Sequence, residues 1–188
     1  MTDVVGLVLA AGAGTRFGGP KALARTAAGE PWLAHAAATL RAGGCDEVVV
    51  VLGAAADEAL ALVPDGARVV VAEDWREGMG ASLGAGLAAL PEADSALISL
   101  VDLPDLPVAV VERVLDTGLE RDVLARAVYA GRPGHPVLLG RDHWSGFRDA
   151  LRGDQGGRRY LELHEATYVE CGDLFSGHDV DRPCALIS

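Results

Sequence analysis

The chain has 188 residues, half of them hydrophobic, and a formal net charge of −11. That length fits one domain with a full core, and the charge disfavours nonspecific nucleic-acid binding, which relies on Lys and Arg neutralising phosphates. No apolar stretch is long enough to span a bilayer and no basic region precedes the first strand, so neither a membrane segment nor a signal peptide is expected. Cys45, Cys171 and Cys184 show no Cys-x-x-Cys spacing, and reduced thiols in a cytoplasmic protein are the expectation.

Apolar runs alternate with Ala/Leu-rich runs. They predict strands over 4–10, 47–52, 68–72 and 96–101, and helices over 31–42, 55–62, 81–90 and 108–117. The strand runs are nearly continuous Val, Leu and Ile, so both faces should be buried, as in a parallel sheet covered by helices on each side. Gly43-Gly44 and Pro64-Asp65-Gly66 supply stops. After Thr117, strands over 123–129 and 136–139 flank a turn-rich Gly131-Arg132-Pro133-Gly134. Helices over 142–151 and 158–164 then flank a glycine-rich link, and a strand over 167–170 follows. The expected architecture is one α/β domain over 1–188, a three-layer α/β/α sandwich around a mostly parallel, Rossmann-like sheet.

Between the first strand and first helix the chain reads Leu-Val-Leu-Ala-Ala-Gly-Ala-Gly-Thr-Arg-Phe-Gly-Gly-Pro-Lys over 7–21. Glycines let backbone amides approach an anion, and Arg16 and Lys21 supply two fixed cations, which together read as a polyphosphate cradle. An acidic protein can hold such a local positive pocket. Two familiar glycine loops fail on spacing. The dinucleotide fingerprint needs its third glycine one position before Gly18, and the Walker loop needs Gly-Lys-Ser/Thr where Pro20, Lys21 and Ala22 stand.

Asp102 follows the run 96–101, where ligands of open α/β sheets bind, and Mg²⁺ favours one or two carboxylates plus phosphate oxygens. Asp105 is expected to start a turn or cap the helix after Pro107. Asp179 and Asp181 alternate, so an extended segment would point both to one side, and either could supply a second carboxylate. In Trp75-Arg76-Glu77-Gly78-Met79-Gly80-Ala81-Ser82, the glycines and free amides open a helix, and Ser82 could meet a base or ribose. His135 lies in a Pro/Gly turn, where a lone histidine is more often structural. The other histidines show no ligand spacing, and no Ser/His/Asp logic or Gly-x-Ser-x-Gly elbow is present.

The pattern Leu-Ala-Ala-Gly-x-Gly-x-Arg-x-Gly-x-x-Lys, carried by Leu9, Ala10, Ala11, Gly12, Gly14, Arg16, Gly18 and Lys21, resembles the signature loop of nucleotidyltransferases. These enzymes activate sugar phosphates, methylerythritol phosphate and the molybdenum cofactor. Gly78-Met79-x-x-Ser82, Asp102-x-Pro104, Gly134-His135-Pro136 and Gly153-Asp154-x-Gly156-x-Arg158 follow in order. Together they resemble the molybdenum-cofactor cytidylyltransferase-like branch of the MobA-like superfamily.

The resemblance implies transfer of CMP from CTP to the phosphate of a molybdopterin-type acceptor, releasing pyrophosphate. Leu9, Ala10, Ala11, Gly12, Gly14, Arg16, Lys21, Gly78 and Ser82 would hold the nucleotide, with Ala11 favouring CTP. Arg16, Lys21 and Asp102 would be catalytic. Asp102 and Asp181 would hold Mg²⁺, with Mn²⁺ as an alternative. Gly134, His135, Asp154 and Arg158 would shape the acceptor side. Residues 1–117 would form the nucleotide half and 118–188 the acceptor half. A molybdoenzyme of the xanthine dehydrogenase type would be a protein partner, and no nucleic acid or membrane would be. The family's closing Asp-x-Asp-Thr-Pro reads Asp179-Val180-Asp181-Arg182-Pro183 here, an asparagine usual before the Trp75 segment gives way to Ala72-Glu73, and a shortened terminal helix is expected. The rival readings are a nucleotidyltransferase for another phosphorylated acceptor, such as a sugar phosphate or a phospholactate-like acid, and a non-catalytic carrier of the cofactor.

Overall fold

The computed structural model describes residues 3–151, 153 and 157–181. Asp154, Cys184, Arg182 and the expected terminal helix lie outside the described residues. Seven strands form one sheet: β1 (Val4–Ala10), β2 (Glu47–Leu52), β3 (Arg68–Val71), β4 (Ser95–Leu100), β5 (Leu124–Tyr129), β6 (Arg132–Gly140) and β7 (Thr167–Glu170). Their order across the sheet is β3-β2-β1-β4-β6-β5-β7, and only β6 runs against its neighbours. Six α-helices connect them: α1 (Trp32–Ala42), α2 (Ala56–Leu60), α3 (Met79–Ala88), α4 (Val108–Leu115), α5 (Trp144–Ala150) and α6 (Arg158–Leu163).

Strand periodicity explains the three layers. All seven residues of β1 are buried. Val4, Val8 and Ala10 join one apolar cluster with α1, α2 and α4, while Val5, Leu7 and Leu9 join another with α3, α5 and α6. Successive strand side chains point to opposite faces, so one uninterrupted apolar run feeds both cores. Helix α3 presses close to the sheet at Gly86, where a Cβ would stand 2.7 Å from the Val51 side chain.

Two local expectations are corrected. The segment 131–134 is not all turn. The hairpin turns at Ala130 and Gly131, whose φ values of 51° and 75° match the paired positive angles of a tight two-residue connection. Arg132 then opens β6, which places Gly134 and His135 in a strand. The prolines are tolerated because β4 pairs with β6 only from Val137 onward, and the β5–β6 register slips between Arg126 and Val128. The Glu170 carboxylate accepts hydrogen bonds from the amides of Ala130 and Gly131 at 2.9 and 3.0 Å and braces that turn. Asp105 lies in a turn closed by the Leu106 amide on the Leu103 carbonyl, but it makes no cap: α4 starts behind Pro107 without a side-chain bond.

Among the described residues no helix is long and apolar enough to cross a membrane. Cys45 and Cys171 are buried free thiols. Burial, with Asp46 adding, pushes Cys45 up to about 12, so it carries no thiolate at neutral pH.

Candidate active site

The strand order reverses at the β1/β4 pair, since β2 and β3 continue on one side of β1 and β4 lies on the other. A crevice opens beyond the carboxyl ends of adjacent strands at such a reversal. The glycine loop leaves β1 at this point and Asp102 follows β4, so two segments some eighty residues apart become neighbours.

Within the loop, the Gly14 carbonyl accepts the amides of Phe17, Gly18 and Gly19 at 2.9, 2.9 and 3.1 Å. Those three donors are turned inward. The amides of Gly12 through Arg16 have no hydrogen-bond acceptor among the described residues, and they are the ones left to meet an anion. Gly14 has φ of 59°, and a Cβ there would lie 1.9 Å from the Gly19 carbonyl oxygen, so no other residue fits this backbone.

At the loop's end the Lys21 ammonium donates to Asp102 Oδ2 at 2.9 Å and to Asp181 Oδ1 at 3.1 Å. The C-terminal segment is drawn in by the Val180 amide, which donates to the Asp102 carbonyl at 2.9 Å. It is therefore Asp181, of the two alternating acids, that meets Lys21, and Arg16 stands 3.9 Å from the same carboxylate. Arg16 is otherwise well exposed. Burial pulls the Lys21 ammonium down, but Asp102 and Asp181 outweigh it and its pKa is raised. Burial pushes the Asp102 carboxyl up, with Lys21 opposing and Asp179 adding to the rise.

Asp102 Oδ1 is buried and has no hydrogen-bond partner among the described residues. A buried carboxylate oxygen without a donor is costly. Together with an ammonium held between two carboxylates, it fits a place for concentrated positive charge, and two carboxylates plus phosphate oxygens are a donor set that Mg²⁺ or Mn²⁺ accepts. No cluster of three or more His, Cys, Asp or Glu at ligating distance occurs among the described residues.

The glycine loop, Lys21 and Asp102 border a cavity of about 620 Å³. Leu9, Ala10, Ala11, Gly12, Gly14, Lys21, Gly78, Ser82 and Asp102 all line it, whereas Arg16 and Asp181 do not. Trp75, Arg76, Thr15 and Leu100 line it as well and were not singled out from the sequence. Trp75 lay within a quoted segment, and the Arg76 guanidinium packs over its ring at 4.5 Å.

A second cavity of about 400 Å³ shares Leu9 and Met79 with the first and extends under α3, α5 and α6. His135 and Arg158 line it. Gly134, expected on the acceptor side, does not line it; its carbonyl accepts from Arg126 Nη2 at 3.2 Å. Arg158 pairs with Glu162 at 2.7 Å on α6. Gly153, ahead of Asp154, receives the Gly80 amide on its carbonyl at 2.9 Å, so the segment predicted for the acceptor reaches the start of α3.

His135 shows part of its surface to the cavity, yet its ring is hemmed in by protein. Desolvation, then the Arg126 guanidinium, pushes it down to about 4. The unfolded chain therefore takes up this proton first as pH falls. Stability is complete above about 6.5 and is lost as the pH drops toward about 4. The wild-type melting temperature should fall more steeply across that window than that of His135→Gln, with a differential approaching ~3 kcal/mol at its acid end. Parallel melting profiles would exclude a buried neutral imidazole.

Comparison with known proteins agrees with this arrangement. A MobA-like NTP transferase domain matches residues 6–168. The chain is 38% identical over 189 residues to a protein named nicotine blue oxidoreductase from Paenarthrobacter nicotinovorans, covering 95% of this chain and 92% of that one. It is 36% identical over 148 residues to the bifunctional protein GlmU of a Mycobacterium species, of which it spans 29%. Among solved structures, Rv0371c from Mycobacterium tuberculosis superposes with a TM-score of 0.82 at 30% identity, covering 96% of this chain and 94% of that one. The manganese complex of Rv0371c superposes at 0.73, again at 30% identity, covering 90% and 88%. The loop after β1, the crevice at the strand reversal and these matches all converge: the chain belongs to the MobA-like NTP transferase family and has the α/β nucleotidyltransferase fold.

Proposed function

We propose that the chain transfers CMP from CTP to the phosphate of a molybdopterin-type acceptor and releases pyrophosphate. The observation that carries the reading is the meeting of the β1 glycine loop and Asp102 across one cavity of about 620 Å³, a volume in the range of small-molecule sites. An oxygen of the acceptor phosphate forms the new bond to the α-phosphorus, and the bond from that phosphorus to the pyrophosphate oxygen breaks. The acceptor phosphate is largely ionised at neutral pH, so its oxygen needs no general base. The obstacle is repulsion between anions, and catalysis is positioning plus charge neutralisation.

The free amides of Gly12 to Arg16 would cradle the triphosphate, with Lys21 and Arg16 supporting the departing pyrophosphate. Ser82 and Gly78 would meet the nucleoside. Asp102 and Asp181 would hold a divalent ion, Mg²⁺ or Mn²⁺, which supplies Lewis-acid neutralisation of phosphate charge when bound. His135, Gly134, Arg158 and Asp154 would shape the acceptor side, around the second cavity. Ala11 in Leu-Ala-Ala-Gly supports CTP over GTP.

The test is a screen of CTP, GTP, ATP and UTP with Mg²⁺ by thermal stabilisation, followed by pyrophosphate release with molybdopterin. A ligand that binds only the folded state raises stability with its concentration. CTP should give the largest shift. Lys21→Ala should lower the turnover about 10²-fold, the size of one lost charge-stabilising group. Wild-type turnover in that variant would remove Lys21 from the mechanism.

A second reading comes from the relative named as an oxidoreductase, which matches over 92% of its length. It makes the chain a redox enzyme whose reductant occupies the same crevice. Reduction of nicotine blue by a supplied reductant in the presence of the chain, with no pyrophosphate formed from any nucleoside triphosphate, would select it.

A further inference from the structure

The apolar strand β5 contains one charged residue. Arg126 is 7% exposed and sits between Ala125 and Ala127, both fully buried. Its Nη2 donates to the Gly134 carbonyl at 3.2 Å. Its Nε and Nη1 are closed to solvent and have no acceptor among the described residues. Glu162, whose charge reaches Arg126, is already paired with Arg158 at 2.7 Å. No ion pair to Arg126 occurs among the described residues. A buried guanidinium with three unmet N–H groups on two nitrogens is costly, and native proteins rarely keep one without a use for it.

Its surroundings indicate the use. Arg126 lines the second cavity with Arg158 and Arg159, against Glu162 as the one acid among its described lining residues, so these residues carry excess positive charge. The remainder of the wall is apolar, formed by Leu83, Ile98, Val137, Phe147 and Leu161 among others. Arg126 pairs in register with Val137, and Val137 with Ile98 of β4. The Arg126 backbone is thus two strands, roughly 10 Å, to the side of β4, and Asp102 lies in the turn past the end of that strand, with Leu100 alone roughly 7 Å beyond Ile98. A single phosphate cannot touch both groups.

Building on the nucleotidyl-transfer reading but selecting its other phosphorylated acceptor, since molybdopterin carries one phosphate and no carboxylate, we infer that Arg126 anchors a second oxyanion of the acceptor, a carboxylate or phosphate distinct from the attacking phosphate. That group is carried on an apolar body filling the space between the sheet and α5 and α6. The acceptor is thereby gripped at two ends, by the nucleotide site and by Arg126. No described residue meets the guanidinium's remaining donors, so a bound oxyanion would supply their acceptor, which makes recognition of the far oxyanion selective: an acceptor lacking it leaves the buried charge unpaired.

The test uses the full chain with two probes, phthalate for a carboxylate on a planar ring and inorganic phosphate for a free phosphate. Binding is followed by calorimetry and by melting temperature. One of the probes should bind the wild type, and which one does identifies the oxyanion. Arg126→Met should weaken that binding at least tenfold, and its unliganded melting temperature should equal or exceed that of the wild type, since an unpaired buried charge has been removed. A purely structural arginine predicts the opposite shift. If Arg126→Met folds poorly, Arg126→Lys carries the test, because it keeps the charge but loses the guanidinium, and it too should bind the probe less tightly. Failure of both probes to bind the wild type, or equal binding by the variants, overturns the inference. Mg²⁺-CTP binding is measured in parallel. It should be unchanged in the Arg126 variants, and its failure in the wild type would sink the nucleotide reading without touching the anion result.

Discussion

Replacing Asp102 by Asn is expected to reduce pyrophosphate release by on the order of 10³-fold while leaving the fold in place. The carboxylate stands at the one point where the loop after β1, the end of β4 and the C-terminal segment converge. Its Oδ2 holds Lys21, and its Oδ1 is buried without a partner. An amide of the same shape preserves packing but removes the charge that a divalent ion and the Lys21 ammonium both need. Stability should move little, within about 1 kcal/mol. Lys21 keeps Asp181 at 3.1 Å, and loss of the Asp102 charge also relieves the burial that pushes its carboxyl up. The discriminating measurement is CTP affinity with and without Mg²⁺. Wild-type affinity should rise with the metal, and Asp102→Asn affinity should not respond to it. A variant whose CTP binding remains metal-dependent would displace Asp102 from the ligand set.

Much of this centre was legible because it rests on local rules. The run from Val4 to Ala10 carries no polar residue, which is the mark of a strand covered on both faces, and a glycine-rich turn after such a strand points to a ligand at the sheet's carboxyl edge. Asp102 at the end of another such run was readable for the same reason. Spacing alone left the choice between Asp179 and Asp181 open, and only the family resemblance favoured Asp181, because the choice depends on the single Val180–Asp102 backbone bond that sets the tail's phase. Pro133 and Gly134 look like turn residues in isolation. They lie in a strand because β4 pairs with β6 only further along, a fact of sheet order that composition does not carry. Arg126 left a faint signal, a lone cation in Leu-Ala-Arg-Ala-Val-Tyr. Its meaning required knowing that β6 and α6 lie beside it and that the acid of α6, Glu162, is already paired with Arg158. Trp75 and Arg76 were likewise within view but needed the crevice to give them a role.

Gly14→Ala should weaken CTP binding by at least 10²-fold, the second large effect, and comparison with its neighbours identifies the cause. Two penalties coincide at Gly14. Its φ of 59° is one that alanine adopts only with strain, and the added Cβ would stand 1.9 Å from the Gly19 carbonyl oxygen, well inside contact distance. The backbone there must shift, and the carbonyl that gathers the amides of Phe17, Gly18 and Gly19 shifts with it. Gly18 has φ of 96° but open space around it, so alanine there brings strain without a clash. Gly12 has neither a positive φ nor any atom within 4 Å of an added Cβ. Gly12→Ala should therefore leave the unliganded protein unchanged, and any loss of CTP affinity it shows reports a phosphate approaching that Cα directly. The expected order of damage to the free loop, read from amide exchange over residues 12–19, is Gly14, then Gly18, then Gly12. If Gly14→Ala binds CTP as tightly as the wild type, the amides of Gly12 to Arg16 are not what holds the triphosphate. The cradle would then have to be sought on the α3 side of the crevice, at Gly78 and the first turn of that helix.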